Sequence, residues 1–150
     1  MHESFYSKCL RWRFNFFPAY RASGARLTYI SDDFREVRVK LPLNWRTRNV
    51  VGTTFGGSMY AAVDPIYMLM LIKNLGPGFI VWDKASLIQF KKPGKTTLYA
   101  AFVLKSEELD AIQKSLRPGE SVDRVYHINL TDAAGLVHAS IEKTVYIRQK

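Results

Sequence analysis

The stretch from Asn49 to Leu75 constrains this chain more than any other. It reads N-V-V-G-T-T-F-G-G-S-M-Y-A-A-V-D-P-I-Y-M-L-M-L-I-K-N-L, a polar, glycine-rich turn that passes into an almost unbroken apolar run. A helix that is apolar on every side has to be enclosed by the rest of its domain. One carboxylate, Asp64, lies inside the run. An enclosed acid costs free energy unless something pairs with it or uses it.

From Phe55 to Leu75 the run has the length of a membrane span. Asp64, Pro65 and Lys73 interrupt it, and strand-like segments follow, so no membrane span is expected. A central helix is expected from Gly56 to about Asn74, stopped by Gly76-Pro77-Gly78. Two readings of Asp64-Pro65 stay open. Pro65 could kink one continuous helix, because it removes a backbone N–H and crowds the carbonyl of Ala61. Alternatively, Asp64 could cap a shorter helix that begins at Pro65.

Before this stretch, Phe5, Cys9, Trp12 and Phe16 fall on one face of a helix over residues 4–17, which Pro18 ends. That face is expected to dock on the domain; a membrane-surface helix is the rival, since aromatic and basic residues mix here. Segments 26–31 and 35–41 read as strands joined by a turn at Asp32-Asp33. After the helix come strands over 79–91, 95–105, 121–131 and 136–148, with a short helix over 106–116. Both faces of 95–105 are apolar, so it is expected to be covered on both sides. On the last strand Val137, Ala139, Ile141, Val145 and Ile147 share one face. The order implies one α+β domain over 1–150, a sheet curved around a long helix, with residues 1–21 as an N-terminal helical extension.

At 150 residues such a domain can bury a core without staples, and the lone Cys9 permits no intrachain disulfide. That suits the cytoplasm. Residues 1–13 hold no continuous apolar core, so no secretory leader is expected. The net charge of +9 would attract anionic partners. The basic residues are scattered and match no zinc-finger, RNA-recognition or basic-zipper pattern, so nucleic acid is not expected. His2, His127 and His138 have no ligand spacing, and no metal is implied.

The spacing Asn49-x-x-Gly52-Thr53-x-Phe55-Gly56-Gly57-x6-Asp64 resembles the motif N-x-x-G-T-x-H-G-G-x-x-x-x-x-x-D of the phenylacetyl-CoA-type acyl-CoA thioesterases, members of the hotdog-fold superfamily. Leu87 to Gly94 is similar to the strand ending in F-x-x-P of those enzymes. The whole chain resembles more closely an uncharacterised hotdog family that carries Phe in place of that His, then D-P and V-W-D-K, as at Asp64-Pro65 and Val81-Trp82-Asp83-Lys84. The resemblance implies an acyl-CoA or acyl-carrier-protein thioesterase without a cofactor. It also implies a homodimer or homotetramer in which the helix of one copy faces strands of the other.

On that resemblance Asp64 activates water or attacks directly, Gly56 donates its N–H to the oxyanion, and Asn49 and Asp83 orient. A carboxylate in a desolvated pocket is a stronger base, and thioester hydrolysis needs little more than an activated oxygen and a stabilised oxyanion. Each residue also has a plain structural role: a cap for Asp64, a close passage for Gly56 and Gly57, a turn for Asn49. Asp83 could pair with Lys84 or Arg46, or share a proton with Asp64 across a dimer. Phe55 can neither donate a hydrogen bond nor carry charge, which favours a binding protein without hydrolysis. Met59, Tyr60, Ile66, Tyr67 and Met70 are candidates to line an acyl tunnel or belong to the core. Lys91 and Lys92 are candidates for the nucleotide phosphates of coenzyme A.

Overall fold

A computed structural model of the chain describes residues 2–150. Helices α1 (Phe5–Phe16) and α2 (Pro18–Ala22) precede strands β1 (Arg26–Ile30) and β2 (Glu36–Leu41). Helices α3 (Gly56–Val63) and α4 (Ile66–Leu75) lead to β3 (Phe79–Phe90), β4 (Leu98–Val103), α5 (Ser106–Ser115), β5 (Ser121–Thr131) and β6 (Val137–Gln149). The strands form one antiparallel sheet in the order β1-β2-β4-β5-β6-β3.

The alternation read on β2 and β6 decides which side of the sheet is dry. Val37, Val39 and Leu41 meet Phe102, Ala100 and Leu98 in register. With Ile141, Val145 and Ile147 they form a core against Met59, Ala62, Val63, Ile66, Met70 and Leu71 of α3 and α4. Each fully buried aliphatic side chain contributes about 1.5–3 kcal/mol. On β4 the expectation of cover on both sides is corrected: Leu98, Ala100 and Phe102 are buried, whereas Tyr99 and Val103 are exposed.

The single long central helix is corrected as well. The helix is two segments, parted at Asp64-Pro65. Pro65 has no N–H for the Ala61 carbonyl, so one rung of the ladder is missing. Asp64 (φ −49°) and Pro65 (φ −85°) keep right-handed helical dihedrals, so the break is a lost bond and not a reversal. No side chain caps α4. Asp64 is thereby freed from the capping role and can point elsewhere.

On α1 the docked face is opposite to the expected one. Ser7 donates its hydroxyl to the Ser31 carbonyl, and Asn15 exchanges two hydrogen bonds with the Leu27 backbone. Glu3, just before α1, accepts from the Ile30 N–H. Strand β1 is a sheet edge. Its unpaired backbone groups need partners, so they recruit the polar side of α1. Leu10 and Phe14 turn inward with that side, while Phe5, Cys9, Trp12 and Phe16 face solvent.

The turn before β1 secures the entry to α3. Gly24 has φ +82°, and a Cβ built on it would lie 2.2 Å from the Thr47 methyl carbon. Thr47 is fully buried, donates to the Pro42 carbonyl, and accepts at its own carbonyl from the Phe55 N–H. Gly24→Ala is expected to lower stability by about 2–3 kcal/mol, combining left-handed strain with overpacking. Urea unfolding checks this, and an unchanged midpoint would refute it.

Candidate active site

Asp64 ends α3 and sends its carboxylate to the sheet. Its Oδ1 accepts from Lys143 Nζ on β6, and that ammonium also lies 3.2 Å from Asp83 Oδ2 on β3. Three charged groups thus meet within one chain, two carboxylates around one ammonium. The Lys143 side chain is 3% exposed and the Asp64 side chain 37% exposed. Lys143 therefore stands behind, and Asp64 presents an open side to solvent.

Local structure explains the meeting. Residues 137, 139, 141, 143, 145 and 147 alternate inward along β6, so Lys143 projects into the dry side between Ile141 and Val145. Strand β3 carries a bulge between Asp83 and Ala85 as it pairs with β6. Bulges re-aim side chains. Asp83 falls opposite Val145, one inward position from Lys143.

Electrostatics follow burial. Desolvation raises the Asp83 pKa; the nearby Lys143 ammonium opposes the rise and the Asp64 charge adds to it. Asp83 Oδ1 is buried without a hydrogen-bond partner. On Lys143 burial pulls the pKa down, but Asp64 and Asp83 together outweigh it, so the ammonium is held above its ordinary value. Tyr60 completes the group. Its phenol is raised by burial and by its hydrogen bond to Asp64, and it also interacts with Ser86. The Lys143 ammonium lies 5.6 Å from the Tyr60 ring centre.

Asp83 therefore does not pair with Lys84 or Arg46. Lys84 binds Asp123 at 2.6 Å, and Arg46 reaches the Arg21 carbonyl. Nor does Asp83 need a second copy to lie near Asp64.

The remaining candidates gather at the other end of α3. A cavity of about 380 Å³ is lined by Asn49, Gly56, Met59, Phe90, Lys91 and Lys92, among others. The first N–H groups of a helix have no acceptor within it, so those at Gly56 and Gly57 are available. A Cβ on Gly56 would lie 2.8 Å from the Phe90 ring, and one on Gly57 would lie 2.4 Å from the Phe55 ring. Two aromatic rings thus lie over the helix start, and a larger residue at either glycine has to displace a ring. Asn49 Oδ1 accepts from the Val51 and Thr53 N–H groups, and its Nδ2 donates to Thr53 Oγ1. Its oxygen is occupied by the turn, while one amide hydrogen is left over. Lys91 Nζ donates to Gln89 Oε1. Tyr67 is core: it stacks on Tyr126 at 4.1 Å and meets Phe102 edge-on. Ile66 and Met70 are core too. His138 is buried and occupied at both ring nitrogens, by the Pro93 carbonyl and by Asp132.

Lys143 is the site residue that sequence reasoning overlooked. The signal was present, a lysine in the inward register of an otherwise apolar strand face.

The family model described as Domain of unknown function (DUF4442) matches residues 7–147. No curated protein matches the chain by sequence. Among solved structures, a Pseudomonas aeruginosa protein described as of unknown function and "Probable Thioesterase" superposes with a TM-score of 0.85 at 18% identity, covering 100% of both chains. A Haemophilus influenzae thioesterase superposes with a TM-score of 0.71 at 15% identity, over 98% of this chain and 93% of that one. A Chlorobaculum tepidum protein of unknown function does so with a TM-score of 0.76 at 16% identity, over 97% and 95%. At these identities the likeness is one of fold. Among the described residues no helix is long and apolar enough to cross a membrane.

Proposed function

We propose, since the chain belongs to the DUF4442 family and has the hotdog fold of thioesterase-like proteins, that it hydrolyses an acyl thioester with Asp64 as the reacting carboxylate. The observation that carries this reading is the Asp64–Lys143–Asp83 group. Asp64 is open to solvent on one side and held from behind by a buried ammonium, at the break between two largely apolar helices and without capping duty for α4. A carboxylate kept in one orientation can take a proton from an attacking water, or attack the carbonyl carbon itself. On the water route the adduct collapses with cleavage of the C–S bond, and Asp64 passes the proton it took to the leaving thiolate. On the direct route the thiol leaves and water then cleaves the anhydride formed on Asp64, which frees the acid and restores the carboxylate. Lys143 lies between Asp64 and Asp83 and offsets the negative charge they bring together.

The oxyanion needs a donor that Phe55 cannot provide. The Gly56 N–H at the start of α3 fits that role. Gly56 and Asp64 of one chain are eight residues apart, about 12 Å along a helix. One thioester carbonyl cannot touch both. A site that uses both is therefore built from two copies, the helix start of one against Asp64 of the other. Strand β3 is the sheet edge that would bring the copies together, and Leu87 and Phe90 lie exposed on it. The substrate would be an acyl-CoA or an acyl-carrier protein, with Lys91 and Lys92 beside the Gly56 cavity meeting its phosphates.

Thiol release from short, long and aromatic acyl-CoAs tests the reading. Wild type should turn over at least one, and Asp64→Asn should lose about 10²–10⁴-fold in rate while still binding it. Equal inertness of the two proteins, with binding intact, would remove the hydrolase reading. The survivor would be a non-catalytic acyl-binding protein. A cavity of about 250 Å³ between α1 and α4 favours that second reading. Leu10, Phe14, Leu27, Ile30 and Ile66 line it, and Lys73 sits at its edge beside Tyr6. Such a cavity suits an aliphatic chain that ends in a carboxylate.

A further inference from the structure

We propose that the outer face of α1 and the groove beside it bind the surface of an anionic phospholipid bilayer. This goes beyond the thioester reading and does not depend on it. Because the polar side of α1 is spent on the β1 edge, its aromatic side is left outside. Phe5 is 82% exposed and Trp12 61%, with Phe16 and Phe17 exposed alongside. Trp12 and Phe16 stack with ring centres 5.6 Å apart. From Phe5 to Phe16 the aromatic stripe runs about 16 Å along the helix.

Next to the stripe lies a groove of about 550 Å³ bounded by α1, the facing ends of β1 and β2, and the loop after β2. Trp12, Phe16 and Trp45 border it, Trp45 being 86% exposed. Arg11, Arg21, Arg26, Lys40 and Arg46 line it, and no Asp or Glu does. Glu3 neutralises Arg11 through two hydrogen bonds. The other four cations have no carboxylate within ion-pair distance among the described residues. Arg26 and Lys40 are direct cross-strand partners. Like charges in that position repel. Arg46 also reaches back to the Arg21 carbonyl, which gathers the cations further. An anion entering the groove relieves this repulsion.

The extent of the apolar stripe decides between a soluble anion and a surface. A free polyphosphate would fill the groove and leave Phe5 and Phe17 in water. A bilayer takes both parts at once, headgroup phosphates on the cations and aromatic rings at the acyl boundary. The negative surface potential of anionic lipid adds attraction that salt screens.

Flotation with vesicles tests the proposal. One set is pure phosphatidylcholine, and the other holds equal parts of phosphatidylcholine and phosphatidylglycerol. The full chain should float with the anionic set and not the neutral one, and added salt should release it. In a Trp82→Phe background, emission from Trp12 and Trp45 should shift to the blue on binding. Arg21→Gln and Arg46→Gln should each weaken partition about fivefold, with unfolding midpoints near wild type. Trp12→Ala with Phe16→Ala should abolish flotation. Flotation indifferent to lipid charge, or unaltered in the arginine variants, overturns the proposal. So does release of bound protein by coenzyme A or inorganic polyphosphate, which would assign the groove to a soluble anion. So does an oligomer, formed without vesicles, that Trp12→Ala with Phe16→Ala splits, because the face would then be an interface between copies.

Discussion

Lys143→Met is expected to lower the unfolding free energy by about 3 kcal/mol, the upper end of the cost of leaving a part-buried hydrogen-bonding group without its partner. Methionine nearly matches lysine in length, so packing is kept while the charge goes. Asp64 can turn to water, being 37% exposed. Asp83 is less free to do so, with a side chain 21% exposed and its Oδ1 buried without a partner. A second change should identify the cause. Lys143→Met with Asp83→Leu should recover most of the loss, since a buried ion pair replaced by apolar side chains is often neutral in stability. Denaturant midpoints of the three proteins check this, and a double variant no better than the single would refute it.

The same variant carries a pH signature. In the folded wild type the Asp83 pKa is raised by burial, against the pull of Lys143. At this group the native state therefore holds more protons than the unfolded chain, from about pH 4 up to the folded pKa. The contribution of Asp83 to stability falls as pH rises through that window. Without the ammonium the window extends upward, so the deficit of Lys143→Met should shrink on acidification toward pH ~4. The Lys143 pKa is raised in the folded state. Its stabilisation is present at neutral pH and is lost as pH climbs past about 10.4 through the folded value. A deficit that grows on acidification would contradict the assignment.

Mixing two inactive variants should restore activity. Gly56→Val and Asp64→Asn are each expected to lose about 10²–10³-fold in thioester hydrolysis. Valine at 56 has to displace the Phe90 ring, which is exposed and can move, so the fold should tolerate it. When the two are unfolded and refolded together, about half of the pairs are mixed, and each mixed pair holds one site with both residues intact. Activity should then return to about a quarter of wild type. Recovery no greater than the sum of the separate variants would place Gly56 and Asp64 in different roles, or in one chain.

Several elements were legible because their signals are local. The strands appeared as alternation, and their ends as Pro93-Gly94 and Asp132 to Gly135. The α+β class with an antiparallel sheet followed from the order of the elements. Asp64 stood out as the one acid in an apolar run. Lys143 was equally visible in principle, since position 143 belongs to the stripe of Ile141 and Val145. Reading it required treating the stripe as a register and not as a list of apolar residues.

What the sequence determined by itself is therefore periodicity, turn chemistry and the isolation of Asp64, because each depends on neighbours a few residues away. Tertiary structure alone decided the rest. Periodicity offered two faces on α1, and the unpaired edge of β1 chose the polar one. The partner of Asp64 lies 79 residues further along the chain, and only β6 pairing beside β3 brings it there. Asp83 faces the same lysine because a bulge adds one residue to β3. A charge finds its partner through distance and burial, and both are set only when the sheet closes over the helices.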